Sequence, residues 1–146
     1  MRFYLFLLGL ACLLAGSCSK SAEPPADSPS PQDKEILMRV FTAPGGLRDP
    51  ETTQASLKIT ILKASNSNVH TEVVYDTLVR MRKLHEFPGP KEPMELGTSI
   101  RLKVPGHDLL SISYQIFYQG GQKWETISGN AAVPASNSPF HYDIKL

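Results

Sequence analysis

The chain predicts an all-β fold, an antiparallel β-sandwich of about seven strands, and three observations carry that prediction. Apolar and polar residues alternate along most of the stretch beyond Lys34, which is the period of a half-buried strand. Clusters of glycine, proline, asparagine and serine punctuate the alternation at short intervals. No two candidate strands are joined by a convincing crossover helix, so the layers should be antiparallel sheet on sheet.

Ile36 to Phe41 opens the series as a run with β-branched and aromatic members, and Pro44-Gly45-Gly46 ends it. Leu57, Ile59 and Ile61 alternate with polar residues up to a turn at Ser65-Asn66-Ser67-Asn68. A third strand starts at Val69 and runs to Val79. Its continuation is ambiguous, because Asp76 to Glu86 holds strong helix formers with Leu78, Met81 and Leu84 at helical spacing. A short helix over 77–86 competes there with a long strand. The β-branched Val73, Val74, Thr77 and Val79 favour the strand for the first half, and Pro88-Gly89-Pro90 ends either element. Ile100, Leu102 and Val104 mark the next strand, closed by Pro105-Gly106. Leu110, Ile112, Tyr114, Ile116 and Tyr118 mark the longest, with Gly120-Gly121 as its turn and a returning strand that reaches Ser128 before Gly129-Asn130. Phe140, Tyr142, Ile144 and Leu146 close the set. A sandwich of immunoglobulin-like or transthyretin-like kind accommodates this pattern.

In the hairpin from Leu110 to Ser128, strand register decides whether aromatic residues are buried or displayed. A two-residue turn at Gly120-Gly121 sets Phe117 opposite Trp124 on the face away from Ile112 and Ile116, exposing an aromatic pair. A three-residue loop with a glycine bulge sets Tyr118 opposite Trp124 and makes Trp124 core. The second register keeps Glu125 away from Ile116 on the buried face and is therefore preferred, with Trp124 structural. Phe117, Tyr118 and Trp124 are the candidate residues of this hairpin for binding a glycan or a protein partner.

The first residues carry an address. Arg2, an apolar run from Phe3 to Leu14 and small residues before Cys18 form a leader of export type, too short to span a bilayer, which takes roughly 20 apolar residues. Ala15-Gly16-Ser17-Cys18 resembles the bacterial lipobox, with Ala15 standing where leucine is usual. The resemblance implies a bacterial lipoprotein whose residues 1–17 are removed and whose Cys18 is acylated. Ser19 replaces the aspartate that holds such proteins at the inner membrane, so the expected address is the outer membrane, on its periplasmic or its outer side. A plain secreted protein is the alternative. Residues 18–34 hold four prolines and no large apolar side chain, a composition that cannot offset its ordering entropy. As a coil, about 16 such residues reach roughly 20 Å. Residues 35–146 remain as one domain. With the leader gone Cys18 is the only cysteine, so no disulfide within the chain supports the core.

Chemistry is sparsely signalled. The chain holds 15 lysines and arginines against 14 acids, a balance that argues against nucleic acid. His70 with Glu72, and His141 with Asp143, stand two apart and would share one strand face, which is a way to begin a metal site and more often a solvated surface. The cluster Arg80-Met81-Arg82-Lys83 reads as a solvated strand or helix end rather than a lipid or acidic-glycan patch. No nucleophile elbow, phosphate loop, His-Glu-x-x-His or Cys-x-x-Cys is present, and no cofactor is implied. The expectation is a non-enzymatic, membrane-tethered module that binds or assembles with another protein of the bacterial envelope. A surface lipoprotein that binds glycans through Phe117, Tyr118 or Trp124 is the alternative, and an enzyme of unknown class a second. The lipoprotein subunit of type VI secretion systems shares the plan of lipid anchor plus small sandwich, although no run here matches its motifs, so the likeness is of architecture alone.

Overall fold

A computed structural model describes residues 30–65, 68–103 and 107–146; Asn68 and Val69 are described as backbone only. The leader, Cys18 and most of the expected linker lie outside the described residues, as do Val104 and the Pro105-Gly106 turn. Seven strands form two packed sheets. In chain order they are β1 (Gln32–Phe41), β2 (Thr53–Ser65), β3 (Asn68–Lys83), β4 (Met94–Leu102), β5 (Asp108–Gly120), β6 (Lys123–Val133) and β7 (Phe140–Lys145). One sheet has the order β4-β1-β7 and the other β3-β2-β5-β6. The fold is an all-β sandwich.

Period two explains what each strand buries. Ile36, Met38 and Val40 of β1 face Leu57, Ile59 and Ile61 of β2 and Ile112 and Ile116 of β5 across the sandwich, all of them closed to solvent. Burying each such side chain stabilises by about 1.5–3 kcal/mol, so this inner layer is the main support of a fold with no disulfide of its own. Ile144 of β7 and Ile100 and Leu102 of β4 complete the three-stranded side. The sheets stack with β4 near β3, where the Arg82 side chain meets Met94, and with β7 near β5, where the Tyr114 and Tyr142 rings lie 6.1 Å apart. A three-stranded sheet cannot cover a four-stranded one. The edge strand β6 is the one left over, and from Lys123 to Ser128 it is exposed on both faces.

Several expectations change. The pairing of β1 with β7 is parallel, Ile36 opposite Phe140 through Phe41 opposite Lys145, whereas every other pair is antiparallel. The chain reaches β7 by crossing from the other sheet, so no hairpin constrains its direction. The helical alternative over 77–86 gives way to strand through Lys83, with only a 3-10 turn at Leu84–Glu86. Pairing with β2 overrides local helix propensity, and the would-be helical face is not a buried face: Leu78 is 63% exposed while Leu84 enters the core. Gly129-Asn130 is not a turn. Both lie inside β6, opposite Tyr114 and Ser113, and a methyl group at Gly129 would overlap the Tyr114 ring, which occupies that space. The first strand begins at Gln32, ahead of Glu35, and takes in Lys34.

The sandwich has two distinct ends. Gln32 pairs with Leu102 and Ser65 with Asp108, so the start of β1 and the β6–β7 loop lie at one end. Val40 pairs with Met94 and Thr53 with Gly120, which places the β1–β2 loop, the β3–β4 loop and the β5–β6 turn at the other. At about 3.3 Å per residue, the ten residues of β1 separate these ends by roughly 30 Å.

Candidate binding surfaces at the β5–β6 hairpin and the loop end

The hairpin turns through Gly121-Gln122, one position beyond the expected glycine pair. Gly121 has φ +62°, as the first central residue of a two-residue type II′ turn requires, and a side chain there would be strained. Gly120 consequently pairs with Lys123, Gln119 with Trp124, Tyr118 with Glu125 and Phe117 with Thr126. Neither expected register occurs. Trp124 lies on the outer face and is 65% exposed, so its assignment to the core is overturned. The objection to an outward Trp124 was that it would send Glu125 to the buried side. Glu125 does face that side, but on the uncovered part of β6 and opposite Tyr118 rather than Ile116. There its Oε2 accepts a hydrogen bond from Arg48 at 2.7 Å.

The three aromatic candidates are divided by this register. Phe117 and Trp124 share the outer face, Phe117 half-buried, while Tyr118 is buried on the inner face. The Arg48 guanidinium lies 3.9 Å above the Tyr118 ring, a cation–π contact that joins the β1–β2 loop to the hairpin. Burial pushes the Tyr118 phenol above its ordinary value, partly offset by the Arg48 charge. Tyr118 is thus removed from any glycan-facing role. Arg48, which no motif announced, is what holds the hairpin to the loop end.

At that end an open cleft of about 370 Å³ is lined by Thr42, Leu47, Arg48, Pro50, His85 and Leu146 among others. Asp49, between the lining residues Arg48 and Pro50, braces the loop: its carboxylate accepts the Glu51 N–H at 3.0 Å and the Thr52 hydroxyl at 2.8 Å, and its carbonyl accepts the Thr53 N–H at 3.0 Å. The hydrogen bond from Glu51, then that from Thr52, hold its carboxyl below the usual range. His85 Nδ1 stands 3.3 Å from Glu51, and the Thr42 N–H donates to the Pro88 carbonyl at 3.0 Å. Within this loop Leu47 is fully exposed, beside Arg48, which Glu125 and the Tyr118 ring hold.

The acid–histidine pairs are drawn into surface structure. Asp143 accepts two hydrogen bonds from Arg39, at 2.8 and 3.0 Å, and Glu72 is 3.1 Å from Lys63. His70 and His141 stand on different sheets, and among the described residues no group of three or more His, Cys, Asp or Glu side chains is placed to hold a metal. The basic cluster divides as well. Arg80 is exposed, whereas Arg82 turns inward with its guanidinium 4.2 Å above the Phe87 ring.

One lysine joins the core. Lys34 is only 3% exposed, and its ammonium donates to the Ser136 and Ser138 carbonyls at 2.6 and 2.7 Å. Its place in the even-numbered series Lys34, Ile36, Met38, Val40 was the signal in the sequence, masked by the linker-like composition before it.

No family model matches the chain, and comparison with curated proteins and with solved structures returned no match.

Proposed function

We propose that the chain is a membrane-tethered, non-enzymatic module of the bacterial envelope, acylated at Cys18, that docks another envelope protein through its loop end. The observation that supports this reading is the polarity of the sandwich. The chain enters at the Gln32 end, and the cleft with the exposed Leu47 lies at the opposite end, roughly 30 Å away. A tether at the first end presents the second to whatever lies beyond the lipid surface. Leu47 is a large apolar side chain on a braced loop, beside an open cleft, and a docking partner would recover the burial it lacks. The reading assigns the outer membrane as the address.

Two experiments test it. Cys18→Ser is expected to move the protein from the membrane to the soluble fraction and to abolish incorporation of labelled palmitate; an unlabelled wild-type protein refutes the anchor. A photo-crosslinking amino acid at position 47 is expected to capture a discrete protein adduct in intact cells, and the same residue at position 137 in the opposite end loop is expected to capture none. Equal capture from both positions, or none from 47, refutes loop-end docking.

A further inference from the structure

The outer face of the four-stranded sheet is divided by chemistry. Its β2–β3 half carries ions, with Lys58 4.0 Å from Asp76 and the Thr60 hydroxyl donating to the same carboxylate at 3.0 Å. Its β5–β6 half carries none. Five cross-strand pairs face outward there, from Gln119/Trp124 to Ser111/Ala132, and not one of their residues is charged. One in five residues of the chain is charged, so an uncharged band of this length on an exposed face calls for a reason.

The band is not apolar either. Gln115, Gln119 and Asn130 offer amides, Ser128 and its neighbours offer hydroxyls, and Trp124 and Phe117 offer ring faces at the turn end. Amides both donate and accept, as do hydroxyls, so this set answers a ligand that is itself rich in hydroxyl groups. Phe117 and Trp124 are diagonal neighbours across the pair of strands, at about 7–8 Å, so each can lie under a different ring of a chain-like ligand. From Gln119 to Ser111 the band runs about 27 Å at 3.4 Å per residue, several sugar units long. A shallow depression of about 220 Å³, lined by Lys58, Thr60, Leu62, Ser113, Tyr114 and Gln115, runs beside it.

Other ligands fit less well. A nucleic acid or an anionic lipid surface needs several lysines and arginines in the contact; the band holds none, and its one cationic neighbour, Lys58 opposite Gln115, is offset by Asp76 at 4.0 Å. A stable protein interface wants an apolar centre, and the middle of this band is serine, asparagine and glutamine. We infer that the outer face of β5–β6 binds an uncharged polysaccharide chain lying along the strands. Trp124 and Phe117 stack on sugar rings, and Gln115, Gln119, Ser128 and Asn130 bond to hydroxyls. The site is independent of the loop-end docking proposed above and of the anchor.

Trp124 is the only tryptophan of the chain, so its emission reports on this site alone. The test uses the full chain in a polyoxyethylene detergent, which carries no sugar. Cellohexaose, xylohexaose, maltohexaose and hexa-N-acetylchitohexaose are titrated against it, with hexagalacturonate as the charged comparison. At least one neutral hexasaccharide is expected to shift the emission saturably and to give a calorimetric isotherm, with hexagalacturonate at least about tenfold weaker. Trp124→Ala is expected to weaken binding at least about tenfold, Phe117→Ala and Gln115→Ala by severalfold, and Leu47→Ala not at all. Circular dichroism verifies that each variant is folded. Failure of all four neutral sugars, equal binding of hexagalacturonate, or full affinity in Trp124→Ala overturns the inference.

Discussion

Replacing Lys34 by methionine tests whether a buried ammonium clamps the β6–β7 loop to the first strand. The side chain reaches from the inner face of β1 to two carbonyl oxygens at 2.6 and 2.7 Å and to the Ser136 hydroxyl at 3.5 Å, near the three-donor capacity of an ammonium. Each charge-assisted hydrogen bond stabilises by about 1.5–3 kcal/mol when its partner is lost outright. Here the acceptors belong to Ser136 and Ser138, both exposed, so water replaces much of the loss. Methionine keeps the unbranched stem and its packing, and it also relieves the cost of desolvating a charge. The net expectation is a loss of about 1.5–3 kcal/mol in total, read as a lower urea midpoint with unchanged slope. Ser136→Ala removes the long contact and an exposed hydroxyl–hydroxyl bond to Ser138 at 3.1 Å, and should cost less than about 0.5 kcal/mol. Hydrogen exchange in residues 134–139 should accelerate in Lys34→Met alone. A Lys34→Met protein as stable as the wild type, with the loop equally protected, would refute the clamp and show that desolvation cancels the hydrogen bonds.

Gly129→Ala should destabilise by about 1 kcal/mol, since overpacking costs about 1–3 kcal/mol and relief of glycine's entropy returns about 0.5–1. The double variant with Tyr114→Ala should be less unstable than the two single losses added together; additive losses in urea titrations would show that the ring does not occupy the glycine's space. Alkaline stability follows from the two phenols raised by burial, Tyr118 and Tyr142, the latter also by its neighbour Tyr114. Because the folded values exceed the ordinary 10.0, the unfolded chain loses these protons first. Their contribution is therefore complete below pH 10 and is lost as pH rises through the folded values. Urea midpoints between about pH 8 and pH 11 should show the fall, smaller in Tyr118→Phe; an identical profile in that variant would remove Tyr118 from the account.

What the sequence made legible was whatever depends on a strand's own phase. The alternations at Leu57, Ile59 and Ile61 and at Leu110 through Tyr118 correspond to buried inner faces because period two is imposed by the backbone itself. What depends on a partner strand was not legible. A shift of one residue in the turn moves every residue of β6 to the other face, which is how Trp124 was assigned to the core. Gly129-Asn130 carries a turn's composition but is held in strand by the Tyr114 ring opposite. The segment beyond Asp76 has helix formers, yet its pairing with Gln54 through Thr60 decides it. Of the candidate site, the residue types were visible and their faces were not. The uncharged outer band appears only once β5 and β6 are laid side by side in register.

The parallel pairing of β1 with β7 has a mechanical consequence. β1 is the middle strand of its sheet, entered at Gln32, and β7 runs alongside it to finish at the opposite end near Phe41. A pull applied between Gln32 and Lys145 therefore acts along the strands and loads the rungs from Ile36/Phe140 to Phe41/Lys145 together in shear. They cannot open singly like a zipper. A force arriving through the residues before Gln32 first meets the pairing with β4, and from Ile36 onward a strand held by neighbours on both sides.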